Sequence, residues 1–242
     1  MKRKSVLIYT FTLFVLSLLP AQQNEDPWRI VGRMEKMLSE IEDYQCRMYE
    51  WSVKGRKEEI RYINFYFKKP RLIRMDIIRG NRNGDDGSIA VLEEDGKVTG
   101  RKGGILSPFA VKVEKDSPLA TTIRGVAFDQ SDAIAAWERL VGLKDSSRLI
   151  FTVEAEGWLF DFSLNEPENG ITREVLFISK NNLMPLYTKS FEGRNLVQHV
   201  VWRSYLINTG LPRELFHVRY EAENLKTLGI RNNIDLPLEL KE

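Results

Sequence analysis

Histidine and cysteine are nearly missing from this chain, which holds two histidines, His199 and His217, and one cysteine, Cys46, in 242 residues. That scarcity removes much of the usual chemistry. A single cysteine forms no internal disulfide, and two histidines without HExxH spacing do not support a zinc site. No serine stands in a G-x-S-x-G elbow, and no glycine-rich stretch has the spacing that cradles phosphates or dinucleotides. A field of one sign is missing too, because 36 Lys and Arg face 34 Asp and Glu. Nucleic-acid binding needs a clustered positive field, so no nucleic-acid partner is expected. Carboxylates are plentiful, which leaves a hydrolase with a carboxylate pair as one class to test. Residues such as Glu93, Glu94 and Asp95 read instead as solvated turn charges.

What is present begins with an export pattern. Lys2, Arg3 and Lys4 precede an apolar run over 6–19, and Leu19-Pro20-Ala21 offers a cleavage site. The run is shorter than the roughly 20 residues of a spanning helix, so 1–21 reads as a secretory signal peptide. Its removal lowers 36 basic residues by three to 33, against 34 acidic ones, and leaves a mature charge near −1. No cysteine stands at the cleavage site to carry a lipid, and Cys46 reads as a small buried hydrophobe. The expectation is a periplasmic protein with one domain over 22–242, its core at 26–218 and a charged tail at 219–242.

Periodicity supplies the elements. Asp26 followed by Pro27 is a helix start, and Ile30, Met34, Met37, Leu38 and Ile41 form an apolar stripe that predicts a helix from 26 to about 44. Residues 59–67 are β-branched and aromatic and stop at Lys68-Lys69-Pro70. Over 71–78, Ile73, Met75 and Ile77 alternate with Arg74 and Asp76, which predicts a strand with one solvated face. A loop over 80–87 and a hairpin of 88–92 with 97–99 follow. The stretch 100–125 has no single reading beyond a short strand at 109–113. Ser131 and Asp132 can cap a helix carrying Ile134, Trp137, Leu140 and Val141. Strands are expected at 149–154 and 158–164, the latter with Trp158, Phe160, Phe162 and Leu164 on one face, then a loop at 165–170. Three strands close the pattern at 175–179, 186–191 and 196–207. On the last, Leu196, Val200, Trp202 and Leu206 are expected on one face, and His199, Arg203 and Tyr205 on the other.

The sum is α+β, with about nine to eleven mostly antiparallel strands and the helices gathered on one face. So many apolar faces permit two readings. One is a closed core. The other is a curved sheet with a helical lid whose pocket takes acyl chains, each buried CH₂ contributing about 0.8 kcal/mol.

Three stretches carry a family resemblance. The export signal without a lipid-bearing cysteine runs straight into the amphipathic helix; Phe65-Tyr66-Phe67-Lys68-Lys69-Pro70 ends an aromatic strand in a basic residue and proline; and Tyr205-Leu206-Ile207-Asn208-Thr209-Gly210-Leu211 is followed by Leu215-Phe216. Over 26–218 the chain resembles the LolA-like superfamily of periplasmic lipoprotein carriers. The resemblance implies an incomplete antiparallel barrel whose concave apolar face is covered by helices. It implies a non-enzymatic monomer without cofactor or metal, which binds the acyl chains of lipoproteins or other lipid cargo for transfer toward the outer membrane, with an inner-membrane release complex as a further partner. The expected lining is Met34, Met37, Leu38, Ile41, Phe65, Phe67, Ile73, Met75, Phe160, Phe162, Val200 and Trp202. Lys69 stands at the rim, where the family places an arginine; a lysine cannot form the same planar bidentate contact. The alternative is a structural or interaction module of the cell envelope with the same fold and a filled core.

Overall fold

The computed structural model describes residues 25–104 and 109–220. The expected signal peptide and the tail beyond Tyr220 lie outside the described residues.

Helix α1 spans Pro27–Glu40, with Asp26 as N-cap accepting a hydrogen bond from Trp28 N at 3.0 Å and proline in its first turn. It buries Ile30, Val31, Met34 and Leu38. The helix is shorter than the stripe suggested. Ile41 has turned to extended backbone at φ −77°, ψ 128°, yet remains buried as the chain enters the first strand.

The strands are β1 Asp43–Lys54, β2 Lys57–Lys68, β3 Leu72–Gly80, β4 Ile89–Leu92, β5 Lys97–Arg101 and β6 Ala110–Glu114, then, after helix α2 at Ala133–Leu143, β7 Ser147–Val153, β8 Gly157–Glu168, β9 Ile171–Ser179, β10 Pro185–Glu192 and β11 Asn195–Ile207. A short 3-10 turn, Arg213–Phe216, follows. All eleven strands form one antiparallel sheet in the order β6-β5-β4-β3-β2-β1-β11-β10-β9-β8-β7. The first and last strands therefore pair at the centre, and β6 and β7 remain as open edges. One core cluster takes in Val98 and Val113 near one edge and Leu149 and Phe151 near the other, so the sheet curls around it. Register shifts in the β1–β11, β2–β3, β8–β9, β9–β10 and β10–β11 pairings supply the local bends. This is the incomplete antiparallel barrel with helices on its concave face that the LolA-like resemblance implied.

Three expectations change. The face of β3 that carries Arg74 and Asp76 is dry, because Leu211, Leu215 and Phe216 fold back over it and pack with Tyr66, Leu72 and Val91 in a second apolar cluster. Alternation reports which residues share a face, and it does not report what later covers that face. On β11, Ser204 adopts φ 56°, and Arg47↔Arg203 is followed by Gln45↔Leu206, which leaves one extra residue in β11. That bulge reverses the alternation beyond it: Tyr205 packs on the main core and Leu206 is exposed. The loop expected at 165–170 shrinks, since β8 continues to Glu168, which pairs with Ile171. The turn is Asn169-Gly170, both at positive φ (51° and 85°), as a two-residue hairpin turn requires.

Candidate functional site

The concave face is built by strand alternation from both halves of the sheet. Inward-facing Phe65, Phe67, Ile73 and Met75 come from β2 and β3, Phe160 and Phe162 from β8, and Val200 and Trp202 from β11. Helix α1 lays Met34 and Leu38 onto them, with Ile41 just past its end. Eleven of the twelve expected lining residues are thus members of one buried cluster, and Met37 is half-buried against it. They fill the space between helix and sheet: Met34, Phe65, Ile73 and Phe160 have 0% exposure. Every methionine after Met1 belongs here, with Met34, Met48, Met75 and Met184 in the cluster and Met37 beside it.

At the rim, Lys69 meets the end of α1. Its Nζ donates to Ser39 O at 2.6 Å and lies 3.8 Å from Glu42 Oε1. The Lys69–Pro70 peptide is cis. Two residues on from Lys69, Arg71 brings a guanidinium to the start of α2. Its Nε donates to Asp132 Oδ2 at 3.0 Å, and its Nη2 donates to Glu138 Oε2 at 3.1 Å and to Asp129 O at 3.1 Å. Partial burial works against the Arg71 charge, but Asp132 and Glu138 more than offset it and raise its pKa. Asp132 is also the N-cap of α2, through Ala135 N to Oδ1 at 2.7 Å. Burial pushes the Asp132 carboxyl above the usual range although Arg71 pulls it down.

Tyr44 completes this corner. Its hydroxyl accepts from Ala133 N at 3.0 Å, and its ring stacks on Phe67 at 5.0 Å between centroids. Burial lifts its pKa well above the usual tyrosine value, so it remains a neutral phenol. Arg71 and Tyr44 were absent from the expected site. The signal for Arg71 was its place just past Lys69-Pro70, facing a capping aspartate already identified; for Tyr44 there was none beyond the change of pattern at that residue.

The Asn208 turn clamps the other side of β1. Asn208 Oδ1 accepts from Glu42 N at 2.8 Å, while Asp43 Oδ1 and Oδ2 accept from Thr209 N at 2.8 Å and Leu211 N at 3.0 Å. The described structure also holds two cavities. An open groove of about 740 Å³ runs along Leu72, Phe216 and Tyr220 on the outer face, and a small cavity of about 40 Å³ sits between α2 and strands β8 to β10.

Among the described residues no cluster of three or more His, Cys, Asp or Glu is arranged to hold a metal ion. No helix among them is long and apolar enough to cross a membrane. His199 is buried, with Tyr187 edge-on at 6.1 Å, and the His217 carbonyl accepts from Arg74.

No family model matches the sequence, and no curated protein does. Among solved structures the chain is similar to an uncharacterized conserved protein from Thermus thermophilus, at 17% identity, covering 78% of this chain and 91% of that one, with a TM-score of 0.49. It is similar to a LolA superfamily protein from Nitrosomonas europaea at 8% identity, 78% and 96% coverage, and a TM-score of 0.40. A third is the MucA/MucB complex of Pseudomonas aeruginosa, at 10% identity, 78% and 59% coverage, and a TM-score of 0.44. At these identities the likeness is one of fold.

Proposed function

We propose that this protein is a non-enzymatic, periplasmic carrier that binds the acyl chains of lipoproteins or other lipids on its concave face, beneath α1 and α2, and releases them toward the outer membrane. The observation that carries the reading is the composition of the filled face. A face closed by packing alone is best made of branched and aromatic side chains with few rotamers. Here all five methionines after Met1 lie in or against the cluster that fills this face. Methionine is unbranched and polarizable, and it repacks around irregular guests at small cost. The second support is the way the lid is fastened. The C-terminal end of α1 is joined to the rim by Lys69 through partly exposed polar contacts, which can exchange while the apolar surfaces separate.

A second reading rests on the same face. Phe65, Phe67, Phe160 and Phe162 are each at most 1% exposed, which also suits an envelope interaction module with a permanent core. The two are separated by titrating the mature protein with a pyrene-labelled acyl methyl ester. A carrier takes it up at a stoichiometry near one, and Met37→Asp, at the half-buried edge, abolishes uptake while the circular dichroism spectrum and melting curve stay close to those of the parent. A permanent core takes up nothing in either form.

A further inference from the structure

The end of the concave face under the C-terminal half of α2 differs from the rest. Along β9 the inward-facing residues run Ile178, Leu176, Glu174, and Glu174 has Phe162 of β8 and Ser190 of β10 as its cross-strand neighbours. The apolar lining therefore gives way to polar groups within one residue pair. The 40 Å³ cavity lies at this boundary, walled by Leu140, Leu143, Phe162 and Leu176 of the main core and by Ser190. A void needs on the order of 10–15 Å³ to hold one water, so this one is larger than a single packing defect. The larger outer groove touches no member of the main core.

Arg139 and Glu174 line the same cavity on its solvent side. Arg139, projecting from α2, donates from Nε to Glu174 Oε2 at 2.9 Å and from Nη2 to Oε1 at 2.5 Å, and its Nη2 lies 2.8 Å from Glu168 Oε2. These carboxylates are partly exposed, so water can take over both partners when they separate, whereas parting Arg71 from Asp132 would strand a buried charge. The opposite end of α2 is held differently. There Asp132 has no exposed side-chain surface beneath Arg71, and Tyr44 bonds the first helical N–H. Both halves of α2 pack on the core, the C-terminal half through Leu140 and Leu143; what differs is that the Glu174 and Glu168 carboxylates there are partly exposed while Asp132 is not.

We propose that the gap between α2 and strands β8 to β10 is the portal through which a single acyl chain enters the concave face, with Arg139 as the residue that closes it onto Glu174 and Glu168. The inference rests on the carrier reading and adds a route and a direction: the chain slides in past Ser190 and Phe162, and α2 lifts at its C-terminal half about the Asp132 end.

The test is kinetic. In a Cys46→Ser background, Arg139→Cys and Glu174→Cys are joined by a cleavable bis-maleimide, and uptake of the pyrene-labelled acyl methyl ester is followed by stopped flow before bridging, after bridging and after cleavage. Bridging is expected to slow uptake by roughly tenfold or more, as when a required opening step is blocked, and cleavage to restore it. The single variant Arg139→Ala, which removes the closing residue, is expected to take up the ester faster than the parent. Recovery on cleavage excludes misfolding as the cause. Uptake that is equally fast in the bridged protein overturns the portal while leaving the carrier reading in place. No uptake by the parent protein overturns both.

Discussion

Arg71 and Asp132 meet at 3.0 Å, Nε to Oδ2, across 61 positions of the chain, and the second oxygen of the same carboxylate caps α2. One buried acid thus holds the rim of the sheet and starts the helix that covers it. Removing Arg71 leaves the Asp132 charge without its partner. Arg71→Ala is expected to cost about 3 kcal/mol in urea denaturation at neutral pH, in the range for breaking a buried pair from one side. Without Arg71 the Asp132 pKa rises further, so the loss shrinks as pH falls and the carboxyl takes up a proton. Arg71→Lys should recover only part of the stability, having lost the fork that spans Asp132, Glu138 and the Asp129 carbonyl. A cost for Arg71→Ala below about 0.5 kcal/mol, the level of an ordinary surface change, would contradict this picture.

Arg74 pins the segment that folds over the outside of the sheet. Its Nε donates to Asp76 Oδ1 at 2.7 Å, Nη1 to Leu215 O at 2.9 Å and His217 O at 3.1 Å, and Nη2 to Tyr220 O at 3.2 Å. Burial pushes the Asp76 carboxyl upward and Arg74 opposes the shift. Arg74→Leu is expected to cost about 3–5 kcal/mol, because it takes the hydrogen-bonded partner from a buried carboxylate and a donor from each of three carbonyls, of which His217 O keeps only Tyr220 N. The double variant with Asp76→Leu should recover the carboxylate's share only. Limited proteolysis gives an independent readout: cleavage within 211–220 is expected in Arg74→Leu well before it appears in the parent.

Asn208 does two jobs. It holds φ at 54°, and its side chain accepts from Glu42 N at 2.8 Å. Asn208→Gly removes the side-chain bonds with Glu42 N, Asp43 N and Glu40 O, whereas Asn208→Ala removes them and adds left-handed strain. The expected order of stability is asparagine, then glycine, then alanine, with the alanine variant lower by about 2 kcal/mol in thermal or urea melts. Alanine equal to or above glycine would show that the backbone there is not left-handed.

Glu50 sits in a buried group with Glu59 and Arg61 between β1 and β2. Burial raises its pKa, partly offset by Arg61, with Glu59 pushing the same way as burial. A carboxyl raised in the folded state binds its proton more tightly there than in the unfolded chain. This group's contribution therefore favours folding at low pH, and it is lost as pH rises from the ordinary glutamate range through the raised value. Glu50→Gln should flatten that part of the stability profile, seen as a smaller fall in the urea midpoint as pH rises above the ordinary glutamate range. An unchanged slope would show that Glu50 titrates alike in both states.

Much of the inner face was legible because it obeys local periodicity. Ile30, Met34 and Leu38 at helical spacing, and Phe160 with Phe162 at strand spacing, needed only their own segments to be placed, and Asp26-Pro27 and Asp132 marked the helix starts. What failed depended on distant chain. Arg74 and Asp76 alternated like a solvated face, and only the return of Leu215 and Phe216 from about 140 residues away dries it. Tyr205 was misplaced because one residue, Ser204, takes a conformation that its sequence does not announce. Whether Phe65 and Met34 line a pocket or fill a core could not be read from pattern, since both uses demand the same side chains on the same face.

Native mass spectrometry of the mature protein, recovered from the periplasm of the exporting cell and extracted with organic solvent, tests the central claim most directly. The carrier account predicts a bound fraction whose extra mass resolves, on extraction, into a lipid or acylated peptide at one copy per protein. A clean apo mass that does not shift when a diacyl ligand is added would contradict it and leave the concave face as a permanent core.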